Sequence, residues 1–275
     1  MSEVYFNKKH LGKTLKCVKS AMNCQSMMLC LGGQEVARTG QAVLGFSRGV
    51  AGDCYMACVA NRDSMPVYKE QYNTALTAGR SRGTLDRYWT IKQPGDIREA
   101  MELAIKCYFR ALELEGTKDI SLEKSLVNVE NKLGVFYMNK ATALVQKISD
   151  NQELAVTAMA GWAGAQDLFN YSRMYLNQGI AKFESISDLA NTAFILSYSG
   201  CLSRLAGHAA GMQAGQDGGG AAYGGEEAAH YKAAVEHYHQ ALAVRRPALG
   251  SGTRSPGSCP APCSWWVPCC RTTPL

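Results

Sequence analysis

The sequence predicts an all-α fold in which helical hairpins stack as a repeat array, an α-solenoid, with long insertions between paired helices. Three observations carry that expectation. Leu133-Gly134 stands three residues before Tyr137 in a helix-favouring stretch, the mark of a hairpin's first helix. Ala104-x-x-x-Tyr108-x-x-Ala111 and Ala234-x-x-x-Tyr238-x-x-Ala241 share a small-aromatic-small spacing that marks the second helix. First-helix and second-helix patterns also alternate along the chain, so the half-units pair in order.

Residues 1–40 read as a lead-in with one helix. There Leu15, Val18, Ala21, Met22 and Leu29 recur at spacings near three and four, and Gly32-Gly33 ends the run. The array spans 41–246. Its first half-unit, 41–61, carries Ala51-Gly52 followed by Tyr55, with Leu44 and Met56 for the same buried side. Residues 62–95 hold Pro66, Gly79, Gly83 and Pro94 and read as a loop, with a short helix over 68–76. Asp96 is an N-cap with Glu99 at the capping-box position, and Ala100, Leu103, Ala104, Cys107, Tyr108, Ala111 and Leu112 follow on one face.

Ser121 opens the next first helix, which runs to about 148 with Leu126, Val129, Leu133, Phe136 and Tyr137 along its seam. An Ala-rich helical piece over 153–165 precedes its partner, 166–186, where Gly179-x-x-x-Phe183-x-x-Ile186 fits the second-helix pattern. Asp188 caps a third first helix, 189–205, with Leu196 and Gly200 in the motif positions. A Gly/Ala/Gln run over 207–225 reads as a flexible loop, and 226–246 supplies the last second helix before Pro247. The units pair as 41–60 with 96–115, 121–148 with 166–186, and 188–206 with 226–246. Residues 247–275 follow no period and read as a disordered tail.

These are tetratricopeptide (TPR) half-units. In such a unit the small residue lets two helices approach, the aromatic fills the space between them, and the last small residue admits the next repeat. Gly52, Tyr55, Ala104, Tyr108, Ala111, Leu133, Gly134, Tyr137, Gly179, Phe183, Gly200, Ala234, Tyr238 and Ala241 are therefore the expected repeat-packing residues. Insertions between the helices map to loops, whose closure cost grows slowly with length.

Composition agrees with a globular chain: of 275 residues 47% are hydrophobic and 19% charged. The net charge of +6 lies at the front, with thirteen basic and six acidic residues up to 95 against fourteen and seventeen over 96–250. That excess suits a second reading, direct nucleic-acid contact through the basic N-terminal third, with Arg80, Arg82 and Arg87 on phosphates. Eleven cysteines, an odd count in no metal-like order, and no clean leader point to a reducing compartment, nucleus or cytoplasm. No stretch is long and apolar enough to span a bilayer.

Chemical motifs are weak. Leu11-Gly12-Lys13-Thr14 resembles the end of a phosphate loop, but Asn7 stands where its first glycine belongs and no apolar strand precedes it. His230, His237 and His239 with Glu226 and Glu227 read as exposed side chains off the Ala234-Tyr238-Ala241 face. No catalytic residue, metal site or cofactor is expected. The expected site is the concave face of the array, lined by first-helix residues flanking the Gly position: Asn128, Asn131, Val135, Met138 and Asn139, then Phe194, Ser197, Cys201 and Arg204. Amides, a methionine and one arginine suit an extended peptide or a helix from another protein. Val135 occupies an asparagine position of the clamp that TPR domains use for terminal carboxylates.

The strings 131–141, 179–186, 188–196 and 200–204 together resemble the TPR-containing C-terminal region of the erythroid differentiation-related factor family. The resemblance covers 41–246. It implies a stretch of a longer, non-enzymatic nuclear protein that promotes transcription during red-cell differentiation, including globin expression.

Overall fold

A computed structural model describes residues 13–14, 17–22, 24, 34–60, 94–115, 119–150, 155–216 and 224–248, and they are helical apart from short caps and turns. The long helices are α1 (Gln34–Ala60), α2 (Ile97–Glu115), α3 (Ile120–Asp150), α4 (Ala155–Ser185), α5 (Leu189–Gln216) and α6 (Gly224–Ala248). No strand occurs among the described residues, and the fold is the expected all-α helical repeat array. The chain divides into two compact units, Met1–Leu133 and Gly134–Leu275.

In the first unit α1 and α2 form a hairpin. Asp96 Oδ1 accepts the Glu99 amide at 2.8 Å while Glu99 Oε2 accepts the Gly95 amide at 2.5 Å, a reciprocal cap that starts α2 where the sequence places it. Ala100, Met101, Ala104, Cys107, Tyr108 and Ala111 of α2 are buried together with Ala51, Cys54, Tyr55 and Cys58 of α1. Helix α1 begins at Gln34, seven residues before the expected start. Gly40 costs the helix roughly 1 kcal/mol and does not end it. Val18 and Met22 of the lead-in helix are buried. Of the loop expected at 62–95, residues 62–93 lie outside the described residues, as does the tail expected at 247–275 from 249 onward.

Helix α3 starts one residue before Ser121. Asp119, not Ser121, is its cap: Asp119 Oδ1 accepts the amides of Ser121 at 2.8 Å and Leu122 at 3.2 Å. In the second unit 155–165 and 166–185 form one continuous helix, α4, antiparallel to the second half of α3. A turn of three residues then leads into α5. Asp188 donates its amide to the Phe183 carbonyl and Ser187 donates to Glu184, so Ser187 ends α4 in the left-handed region, at φ 56°. Asp188 then caps α5, its Oδ1 accepting the Asn191 amide at 3.2 Å.

The loop expected at 207–225 is shorter than predicted, because α5 continues to Gln216. Gly207 and Gly211 face α6: a Cβ on Gly207 would meet His230 Cβ at 3.1 Å, and one on Gly211 the Glu227 carboxylate at 2.9 Å. These glycines allow close helix approach, where the sequence suggests chain freedom.

Candidate partner groove

Each hairpin is closed by a first-helix glycine against a large second-helix residue. A Cβ on Gly52 would lie 2.6 Å from the Tyr108 ring, and one on Gly200 2.8 Å from the Tyr238 ring. At Gly134 the neighbours are Leu176 at 3.2 Å and the Ser172 carbonyl at 3.3 Å. The residue facing Gly134 is therefore Leu176, seven residues before Phe183. In α4 the small-large-small pattern is Ser172-x-x-x-Leu176-x-x-Gly179, in the register of Ala104-Tyr108-Ala111. Gly179 holds the last small position, and Phe183, fully buried, packs two turns further along. Leucine, not an aromatic, fills the large position here, so the aromatic pattern does not mark it. Tyr137 joins the seam by stacking on Tyr175 at 6.0 Å and approaching Tyr171 at 5.4 Å.

The remaining face of each first helix decides what a partner can reach. Of the predicted groove residues, Asn128, Asn139 and Arg204 are exposed, and Val135, Phe194 and Ser197 are half-buried. Asn131, Met138 and Cys201 are buried, so these three belong to the packing and not to an open face. The Ser197 hydroxyl donates to the Ala193 carbonyl at 2.9 Å and so is spent on its own helix. Phe194 meets Tyr198 edge to face at 4.8 Å. The Arg204 guanidinium lies beside Tyr238 and Cys201, near the third hairpin's glycine contact.

A cavity beside the first hairpin lies outside the groove residues the sequence singled out. Counting from the motif glycine, Asn128, Asn131 and Val135 stand at −6, −3 and +1. The same offsets from Gly52 are Phe46, Gly49 and Asp53. In the structure all three line one cavity of ≈ 200 Å³, with Val50, Tyr108, Asp119 and Leu122 among its other walls. Phe46 is 59% exposed. The Tyr108 hydroxyl donates to Asp53 Oδ1 at 2.6 Å. Burial raises the Asp53 carboxyl above its ordinary value, the Tyr108 hydrogen bond opposing in part. Burial raises the Tyr108 phenol strongly, and the adjacent Asp53 charge adds to it. The fixed offset, applied to Gly52, was the available signal.

Among the described residues no three His, Cys, Asp or Glu side chains gather as a metal site. His230 Nε2 faces Glu226 Oε1 at 3.9 Å across one helical turn. No described helix is long and apolar enough to cross a membrane. Arg80, Arg82 and Arg87 lie outside the described residues.

Residues 122–247 match the model of the family described as erythroid differentiation-related factor 1-like, TPR repeats. The chain is 24% identical over 261 residues to erythroid differentiation-related factor 1 of Mus musculus, covering 88% of this chain and 20% of that one. The Homo sapiens protein of the same name gives 24% over 264 residues, again 88% and 20%. The chain thus spans about a fifth of the length of these relatives. No solved structure matches it. The resemblance read from the strings between 131 and 204 therefore holds: residues 122–247 are similar to the TPR repeats of erythroid differentiation-related factor 1-like proteins.

Proposed function

We propose that this chain is a non-enzymatic scaffold that holds other proteins along the open face of its first helices, and that it serves transcriptional regulation in the nucleus. One observation carries the scaffold reading. Each first helix spends one face, through its glycine, on its own hairpin partner, and keeps exposed polar or aromatic side chains off that face: Phe46 and Asn128 six residues before the glycine, Asn139 and Arg204 beyond it. The TPR match supports an interaction role, and the relatives' name supports a link to erythroid differentiation.

The test is affinity capture from nuclear extract of erythroid cells with the whole chain. Asn128→Glu together with Asn139→Glu, both on exposed positions, is expected to abolish capture of the partner set while leaving helical circular dichroism unchanged. Undiminished capture by the double variant refutes the groove, and the same partner set recovered from cytosol alone refutes the nuclear assignment.

A further inference from the structure

The cavity of the first hairpin has a chemistry of its own, and naming its occupant rests on the groove reading above. Phe46 and Val50 of α1 and Leu122 of α3 form apolar walls, and Gly49 leaves room where a side chain would stand, with Leu122 Cδ1 3.5 Å from a Cβ built there. A space of ≈ 200 Å³ falls below the range of drug-sized ligand sites and suits one large side chain. Two carboxylates, Asp53 and Asp119, border it, in a chain whose net charge is +6. Asp119 Oδ1 is spent on the amides that start α3. Asp53 Oδ1 is oriented by the Tyr108 hydroxyl, and a carboxylate has acceptor sites beyond that one bond.

We propose that this cavity seats an arginine side chain of an extended partner segment, its aliphatic stem along Val50 and Leu122, its guanidinium between the Phe46 ring and Asp53. Arginine fits better than lysine because its planar cation both stacks on an aromatic face and hydrogen-bonds a carboxylate edge. Burial disfavours the Asp53 charge, and a cation placed there offsets that cost.

The probe is N-acetyl-argininamide, titrated into the whole chain and followed by the methyl NMR signals of Val50 and Leu122. N-acetyl-citrullinamide, of the same shape without the charge, and N-acetyl-phenylalaninamide serve as comparators. Saturable shifts with the arginine compound are expected, at least tenfold weaker with citrulline and in Asp53→Asn, and several-fold weaker in Phe46→Ser. Citrulline or phenylalanine binding as tightly as arginine, binding that survives Asp53→Asn, or no saturable shift overturns the assignment. So does an Asp53-dependent self-association in the absence of any probe, which would make a second copy the occupant. Failure of this titration leaves the extract capture standing, and failure of capture leaves the titration readable, because the probe needs no partner protein.

Discussion

Replacing Gly52 with alanine puts a methyl group where the Tyr108 ring already lies. The new Cβ would stand 2.6, 2.8 and 2.9 Å from Cε1, Cζ and Cδ1, against a comfortable carbon–carbon separation of roughly 3.5–4.0 Å. The ring must retreat by about 1 Å. It is 2% exposed, and its hydroxyl is tied to Asp53 at 2.6 Å, so retreat disturbs the core and breaks that bond. Overpacking costs about 1–3 kcal/mol, loss of a hydrogen bond to a charged group about 1.5–3, and the gain in helix propensity returns about 1. The expected net loss is about 1.5–5 kcal/mol in urea unfolding followed by far-UV circular dichroism.

Two other glycines supply the contrast. Gly200→Ala meets the Tyr238 ring at 2.8 Å, but that ring is 37% exposed and has room to turn outward, so stability should stay within about 1 kcal/mol of the starting chain. Gly215→Ala meets nothing within 4 Å and should stabilise by up to about 1 kcal/mol. A Gly52→Ala/Tyr108→Leu pair should recover at least about 1 kcal/mol through coupling. Gly52→Ala as stable as the parent, or losses that simply add in the pair, would refute the contact.

Ser187→Gly should stabilise by about 0.5–1 kcal/mol, since serine sits in the left-handed region at φ 56° where a Cβ is disfavoured; a loss in the same unfolding assay would contradict this. Because burial raises the Asp53 carboxyl, the folded chain holds that proton to higher pH than the unfolded one, and stability falls as pH rises from 3.8 through the raised value. Asp53→Asn should therefore melt higher than the parent at neutral pH, with the difference closing below pH 3.8; an unchanged gap across the series would count against it. Burial pushes the thiols of Cys58 and Cys107 up from 9.0 to about 11, with Arg48 partly opposing at Cys107, so unfolded thiols deprotonate first. Stability should drop between pH 9 and 11, by on the order of 2 kcal/mol per thiol, and Cys58→Ala with Cys107→Ala should flatten that fall in a melting series.

Much of the fold was legible because it is written locally. Asp96 with Glu99 and Asp188 before Asn191 are caps within four residues of the helix they start, so reading them requires no distant partner. Small-large-small spacings announce a face wherever they occur, which is why Gly52 could be matched to the helix of Tyr108 and Gly200 to that of Tyr238 although the paired residues stand far apart in sequence. Burial is different, since it depends on which helix covers a residue. Asn131 and Asn139 are both amides flanking one glycine on α3, yet one is buried and the other exposed.

The sequence by itself determined the fold class, the caps of α2 and α5 and the order in which hairpins pair, all set by contacts within a turn or by the period of one face. Only the tertiary structure decided that Leu176 and not Phe183 meets Gly134, that Gly207 and Gly211 are contacts and not breaks, and that Phe46, Gly49 and Asp53 enclose a cavity. Each of those depends on the surface of an opposing helix distant in sequence, where a one-turn change of register alters every contact and the chain's local pattern stays the same.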